Sequence, residues 1–264
     1  GHMMPSGNAQ IDSLLGGGLE AGSTCAVLGT SGAGKSTLSA MYAYAAAREG
    51  IPSALLCFDE RPETFMTRAA GLGMEIDSFV RDGVIGLRQM SVGEVSAGEL
   101  NHTIRQAVEE DGVRLVVLDS ISGYLQAMPG EQGLITQLHE LLSYLSAAGV
   151  LTVMVVTTHG IVGTTESAVD VSYIADSVIV LRHFEARGEV RRCIAVLKKR
   201  YGAHERTIRE VRFGSGGVVV GEPLNDFTGV LSGLPRFEGQ PGHLLDGVAE
   251  RGAAGPQTIG RVDE

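Results

Sequence analysis

Apolar positions along the chain fall into short unbroken runs separated by longer periodic stretches. The runs Thr24 to Leu28, Ala54 to Phe58, Val84 to Arg88, Leu115 to Asp119 and Val150 to Thr158 have the length of strands. Between them, 35–48, 62–73, 97–110 and 137–149 read as helices, the second with Pro62 in its first turn. Strands that are apolar throughout, rather than at alternate positions, must bury both faces, which predicts a parallel sheet covered by helices on each side. The pattern changes after Ser177. Residues 177–199 read as two strands joined by a turn at "ARGE", and 207–221 as a further hairpin. The expected fold is α/β, mostly parallel, with a C-terminal antiparallel extension. From Glu238 the chain turns rich in Gly, Pro and polar residues and reads as a disordered tail. The expected division is therefore 1–4 as a start, in which Gly1-His2-Met3 looks like the remnant of a cleaved tag, 5–237 as one domain, and 238–264 as the tail.

Composition narrows the function. The chain has 264 residues and a formal net charge of −10, and no apolar run is long enough to span a bilayer. An acidic protein is a poor default partner for nucleic acid or anionic membranes. No Lys or Arg occurs between Arg114 and Arg182, the interval holding the loops after the later core strands, where a DNA-binding relative would need cations. The cysteines, Cys25, Cys57 and Cys193, lie far apart in apolar surroundings and read as reduced core thiols of a cytoplasmic protein.

One motif carries the chemistry. "GTSGAGKST" (Gly29, Thr30, Ser31, Gly32, Ala33, Gly34, Lys35, Ser36, Thr37) fits G-x-x-x-x-G-K-[ST] between a strand and a helix. Such a loop wraps phosphate with backbone N–H groups, its glycines allowing close approach. Lys35 reaches the β- and γ-phosphates of ATP, and the Ser36 hydroxyl binds Mg²⁺. Asp119, ending a buried strand, is the expected second metal residue. Asp59 and Glu60 end the strand after the P-loop helix, where one of them is placed to orient or activate the attacking group. The competing reading of that pair is N-terminal capping of the following helix.

Only three lysines stand against eighteen arginines, and two of them, Lys198 and Lys199, are adjacent in "LKKRYGAH". Together with "GNAQIDSLLGGGLEAGS", the P-loop, "FDERPE", "LDS" and "GVLSGLPRF", this segment resembles the KaiC family of RecA-like ATPases, over roughly 5–237 and most closely the second domain of the tandem clock protein that names the family. The resemblance implies a hexameric ring with ATP bound between subunits. The neighbouring subunit would supply Lys198, Arg200 and His204, with Arg200 as a trans finger. Lys199, on the other strand face, would be solvent-exposed. The resemblance also implies serine autophosphorylation, a timing or signalling role and unidentified protein partners. The self-phosphorylated positions fall on Ser172 and Tyr173, where Tyr replaces the family's Thr, with Ser167 as a third hydroxyl. His159 falls at a γ-phosphate sensor position of RecA-like proteins, but reads rather as a satisfied histidine at a strand terminus. Asp59 stands where the family has Glu, so which of the two acids is the base stays open. This chain holds one such domain, whether as a natural single-domain member or as one excised from a tandem. The alternatives are an ATP-gated scaffold with little turnover and a DNA recombinase or helicase.

Overall fold

The computed structural model describes residues 1–91, 96–127, 133–158, 173–232, 236–238 and 245. In chain order the elements are β1 (Met3–Met4), α1 (Ala9–Leu14), β2 (Leu19–Glu20), β3 (Thr24–Gly29), α2 (Lys35–Arg48), β4 (Ser53–Cys57), α3 (Pro62–Gly71), α4 (Asp77–Arg81) and β5 (Ile85–Gln89). They continue with α5 (Ala97–Glu110), β6 (Leu115–Asp119), α6 (Ile121–Ala127), α7 (Leu134–Ala147), β7 (Leu151–Thr157), β8 (Ser177–Ala186), β9 (Glu189–Lys199), β10 (Arg209–Gly214), β11 (Gly217–Pro223), β12 (Phe227–Thr228) and β13 (Arg236–Phe237).

Among the described residues, nine strands form the central sheet in the order β11-β10-β9-β8-β3-β7-β6-β4-β5. The six from β8 to β5 are parallel, and β9, β10 and β11 add antiparallel. The unbroken apolar strands do bury both faces. In β3, Cys25 and Val27 enter one core layer with α1 and α2, while Ala26 and Leu28 enter the other with α5 and α7. Leu115 and Val117 against Val116 and Leu118 repeat this division in β6. Burial on both faces excludes water from the inter-strand hydrogen bonds and leaves the strand ends as the place where polar groups can gather.

Local signals set several boundaries. Ser96 accepts from Glu99 N while Glu99 returns a bond to Ser96 N, a capping box that starts α5. Pro62 occupies the first turn of α3. The β8–β9 turn falls at Arg187 and Gly188, both with positive φ. Helix α7 starts three residues earlier than its apolar period suggests. The short α1 has an Asn8 cap, and Asn8 Nδ2 also donates to Val218 O at 2.8 Å, tying the N-terminal segment to β11. Near the C-terminus, Leu245 N donates to Glu210 Oε2 at 2.9 Å. Among the described residues no helix is long and apolar enough to cross a membrane.

Candidate functional site

The parallel register aligns the strand ends. Gly29 pairs with Thr157, Asp119 with Val155, and Cys57 with Asp119, so β3, β4, β6 and β7 finish along one edge. The P-loop leaves that edge and enters α2 through Gly34, whose φ is 106°. Glycine is required there twice over: the backbone is left-handed, and a Cβ would collide with the Phe213 ring from β10. Gly29 is equally confined, since its Cβ would lie 2.5 Å from Leu181 O. Thr30, Ser31, Gly32 and Ala33 form the loop between, and Thr37 follows in the first turn of α2. Lys35 is buried and its Nζ donates to Thr30 O at 2.6 Å, so the ammonium lies inside the loop. Burial lowers its pKa, and the nearby Asp119 and Asp59 pull it back up.

Asp119 and Ser36 meet as expected from the sequence. The Asp119 carboxylate accepts a bond from the Ser36 side chain, yet its Oδ2 is buried without a partner. Burial raises its pKa, Glu60 and Asp59 raise it further, and Ser36 and Arg68 counteract them. A buried carboxylate oxygen left unpaired beside a serine hydroxyl fits a divalent cation, so these two residues are suited to hold Mg²⁺.

The acid pair separates into two environments. Asp59 Oδ2 accepts from both Ser120 N, at 3.1 Å, and Ser120 Oγ. Glu60 takes a bidentate clamp from Arg68, with Nη1 and Nη2 each at 2.7 Å. Arg68, in the last turn of α3, lines the clefts on both sides of Lys35. One, of ≈ 430 Å³, holds Asp59, Glu60, Asp119 and Ser120. The other, of ≈ 500 Å³, is walled by Gly34, Leu72, Arg192 and Phe213. Arg192 lies over the Phe213 ring at 6.0 Å. Neither Arg68 nor Arg192 stood out in the sequence. His183 was missed as well. It comes from β8, and its Nδ1 lies 3.3 Å from Thr30 Oγ1. Burial, then Arg192 and Lys35, lower its pKa, while a bond with the Gly32 backbone opposes them.

The basic segment lies elsewhere. Lys198 pairs with Val178, which pairs with Ala26, and Arg200 N donates to Asp176 O level with Thr24. Arg200 is thus five residues before Gly29 along the strand direction, about 16 Å from the P-loop edge. Lys198 Nζ donates to Ala175 O at 2.7 Å and to Tyr173 O at 3.4 Å. Lys199 is not solvent-exposed as its strand alternation suggested. Its ammonium donates to Leu15 O at the end of α1, because the register shift at Val178/Ile179 redirects the strand end toward that helix. His204 Nδ1 lies 2.7 Å from Glu205 O. Tyr173 is 83% exposed. Ser172, Ser167 and His159 lie outside the described residues. The three cysteines are free and buried, each with its pKa pushed up to about 12 chiefly by burial, as inert core thiols should be.

A P-loop strand inside a parallel sheet, with a buried aspartate ending the next strand but one, defines a RecA-like ATPase domain. The chain belongs to the KaiC family: the family described as "ATPase: KaiC" matches residues 4–225. It is 27% identical over 239 residues to the circadian clock protein KaiC3 of Synechocystis, covering 89% of this chain and 46% of that protein. It is 26% identical over 241 residues to the circadian clock oscillator protein KaiC of Picosynechococcus, with 87% and 45% covered. With the KaiC of Synechococcus elongatus the identity is 23% over 256 residues, covering 94% and 49%. The chain spans about half the length of the curated relatives it matches.

Proposed function

We propose that residues 5–237 bind Mg·ATP and hydrolyse it at an interface between copies of the chain, in a ring that the family resemblance makes hexameric. The observation carrying this reading is the opposite placement of two cationic sets. Lys35 sits at the P-loop edge, whereas Lys198 and Arg200 sit about 10 and 16 Å back along the strands, with the Lys198 ammonium turned toward Ala175 O. Cations that cannot reach their own phosphate site are suited to a neighbour's. In this mechanism Gly29 to Thr37 cradle the phosphates through backbone N–H groups, and Lys35 moves from Thr30 O to the β- and γ-phosphate oxygens. Ser36 and Asp119 hold Mg²⁺, which supplies neutralisation of phosphate charge when bound. Asp59 is the better base, because Ser120 occupies only one of its oxygens whereas Arg68 engages both of Glu60's. Its free oxygen orients water, or a Ser172 or Tyr173 hydroxyl of the adjacent copy, for attack on the γ-phosphate. Lys198, Arg200 and His204 of the adjacent copy stabilise the developing charge.

Lys198→Ala tests this: hydrolysis by the assembled protein should fall at least tenfold while nucleotide binding persists, and an intact rate rejects the interface site. Autophosphorylation is read separately, by intact mass after incubation with Mg·ATP. A gain of one phosphate that Ser172→Ala abolishes identifies an autokinase, and ADP release without mass gain a plain ATPase. A timing or signalling role in the cytoplasm, with further protein partners, accords with this reading. Single-stranded DNA should leave the rate unchanged. The pairing of Asp59 with Ser120 and of Glu60 with Arg68 favours one second reading, an ATP-gated scaffold. Turnover far slower than nucleotide exchange, with ATP-dependent assembly, would support it.

A further inference from the structure

Among the described residues, Arg200 is held by Asp176. Its Nη1 pairs with Asp176 Oδ1 at 3.0 Å, and its N–H donates to Asp176 O at 2.8 Å. Asp176 is anchored in turn: Oδ2 accepts from Thr24 N at 2.9 Å, and Asp176 N donates to Thr24 O at 2.8 Å. The carboxylate is therefore fixed to the first residue of the P-loop strand, and its side chain is 14% exposed against 52% for Arg200. The next residue back, Ala175, accepts from Lys198 through its carbonyl. The segment just before β8 thus holds both cations while about half of the Arg200 side chain stays exposed.

We propose that Asp176 is a positioning residue for Arg200, holding the guanidinium at the sheet edge so that it meets the nucleotide of an adjacent copy already ordered. The inference rests on the reading that Arg200 acts across an interface. A guanidinium has five donors in a planar fork, so one bond to Asp176 leaves others for phosphate. Fixing it beforehand removes rotamer freedom that would otherwise be lost in the transition state.

Asp176→Asn keeps an oxygen for Thr24 N–H and removes the charge that holds Arg200. In the assembled protein kcat should fall about tenfold, with KM for ATP changed less than about twofold. Asp176→Glu, which restores the charge, should recover part of kcat. In an Arg200→Ala background, Asp176→Asn should cause no further loss, because the two residues act as one unit. An unchanged kcat in Asp176→Asn overturns the inference, and so does a full tenfold loss added on top of Arg200→Ala. Should Arg200→Ala itself turn over like the wild type, the interface reading fails, and this inference with it.

Discussion

Asp119→Asn should make the nucleotide-free protein more stable and the nucleotide-bound protein less so. In the folded chain Asp119 is 8% exposed, and its Oδ2 has no partner. Burial, Glu60 and Asp59 all disfavour its charge, and only Ser36 and Arg68 favour it. A carboxyl whose pKa rises above 3.8 on folding binds its proton more tightly folded than unfolded. Its charged form therefore costs stability at neutral pH, and the cost fades only as pH falls through the folded pKa toward 3.8. The amide keeps an acceptor for Ser36 and offers its N–H to the neighbouring carboxylates. Relieving an unpaired buried carboxylate oxygen is worth about 1–2 kcal/mol, or roughly 2–8 °C in Tm for a domain of this size. Binding works the other way. Ligand at about a hundred times its Kd stabilises by about 2.7 kcal/mol, and the part of this that needs the metal should vanish in the variant. Calorimetry with EDTA, and then with saturating Mg·ATP, should show the two proteins exchanging rank. A lower Tm for the variant in EDTA would mean that the carboxylate is a satisfied structural acceptor. Full Mg·ATP stabilisation of the variant would remove Asp119 from the metal site.

Two further outcomes follow from the loop. Gly34→Ala places a methyl against Phe213 at a φ of 106°, so it should destabilise the chain by about 2 kcal/mol in chemical denaturation and abolish nucleotide binding. Wild-type affinity in that variant would show that the loop tolerates a Cβ. His183 has a folded pKa below its ordinary 6.5, so the unfolded chain takes up the proton first and stability falls as pH drops below 6.5. His183→Gln should flatten the fall of Tm in that window, and an unaltered pH profile would contradict it.

The sheet was legible because burial on both faces demands unbroken apolar runs, as in Leu115 to Leu118. The P-loop was legible because phosphate wrapping constrains four positions at fixed spacing. Elements held by distant partners left no such trace. The N-terminal segment with α1 depends on Asn8 and Gln10 bonding to Val218 and Val220, 210 residues away. Helix α6 follows Ser120, which Asp59 fixes from the loop after β4. Arg68 and His183 are ordinary polar residues of a helix and a strand until the fold places them on Glu60 and Thr30. Lys199 shows the limit of strand alternation: a single register shift sends its ammonium to Leu15 rather than to water.

The central claim is that one site is assembled from two copies. Subunits carrying Lys35→Ala have intact Lys198 and Arg200, and subunits carrying Lys198→Ala have an intact P-loop. The most direct measurement is ATP hydrolysis after equal amounts of the two inactive variants are mixed and reassembled. If the site is shared, about one interface in four joins an intact P-loop to an intact Lys198, and activity should recover to about a quarter of the wild type. Two inactive variants that remain inactive when mixed, in assemblies shown to contain both, would contradict the account.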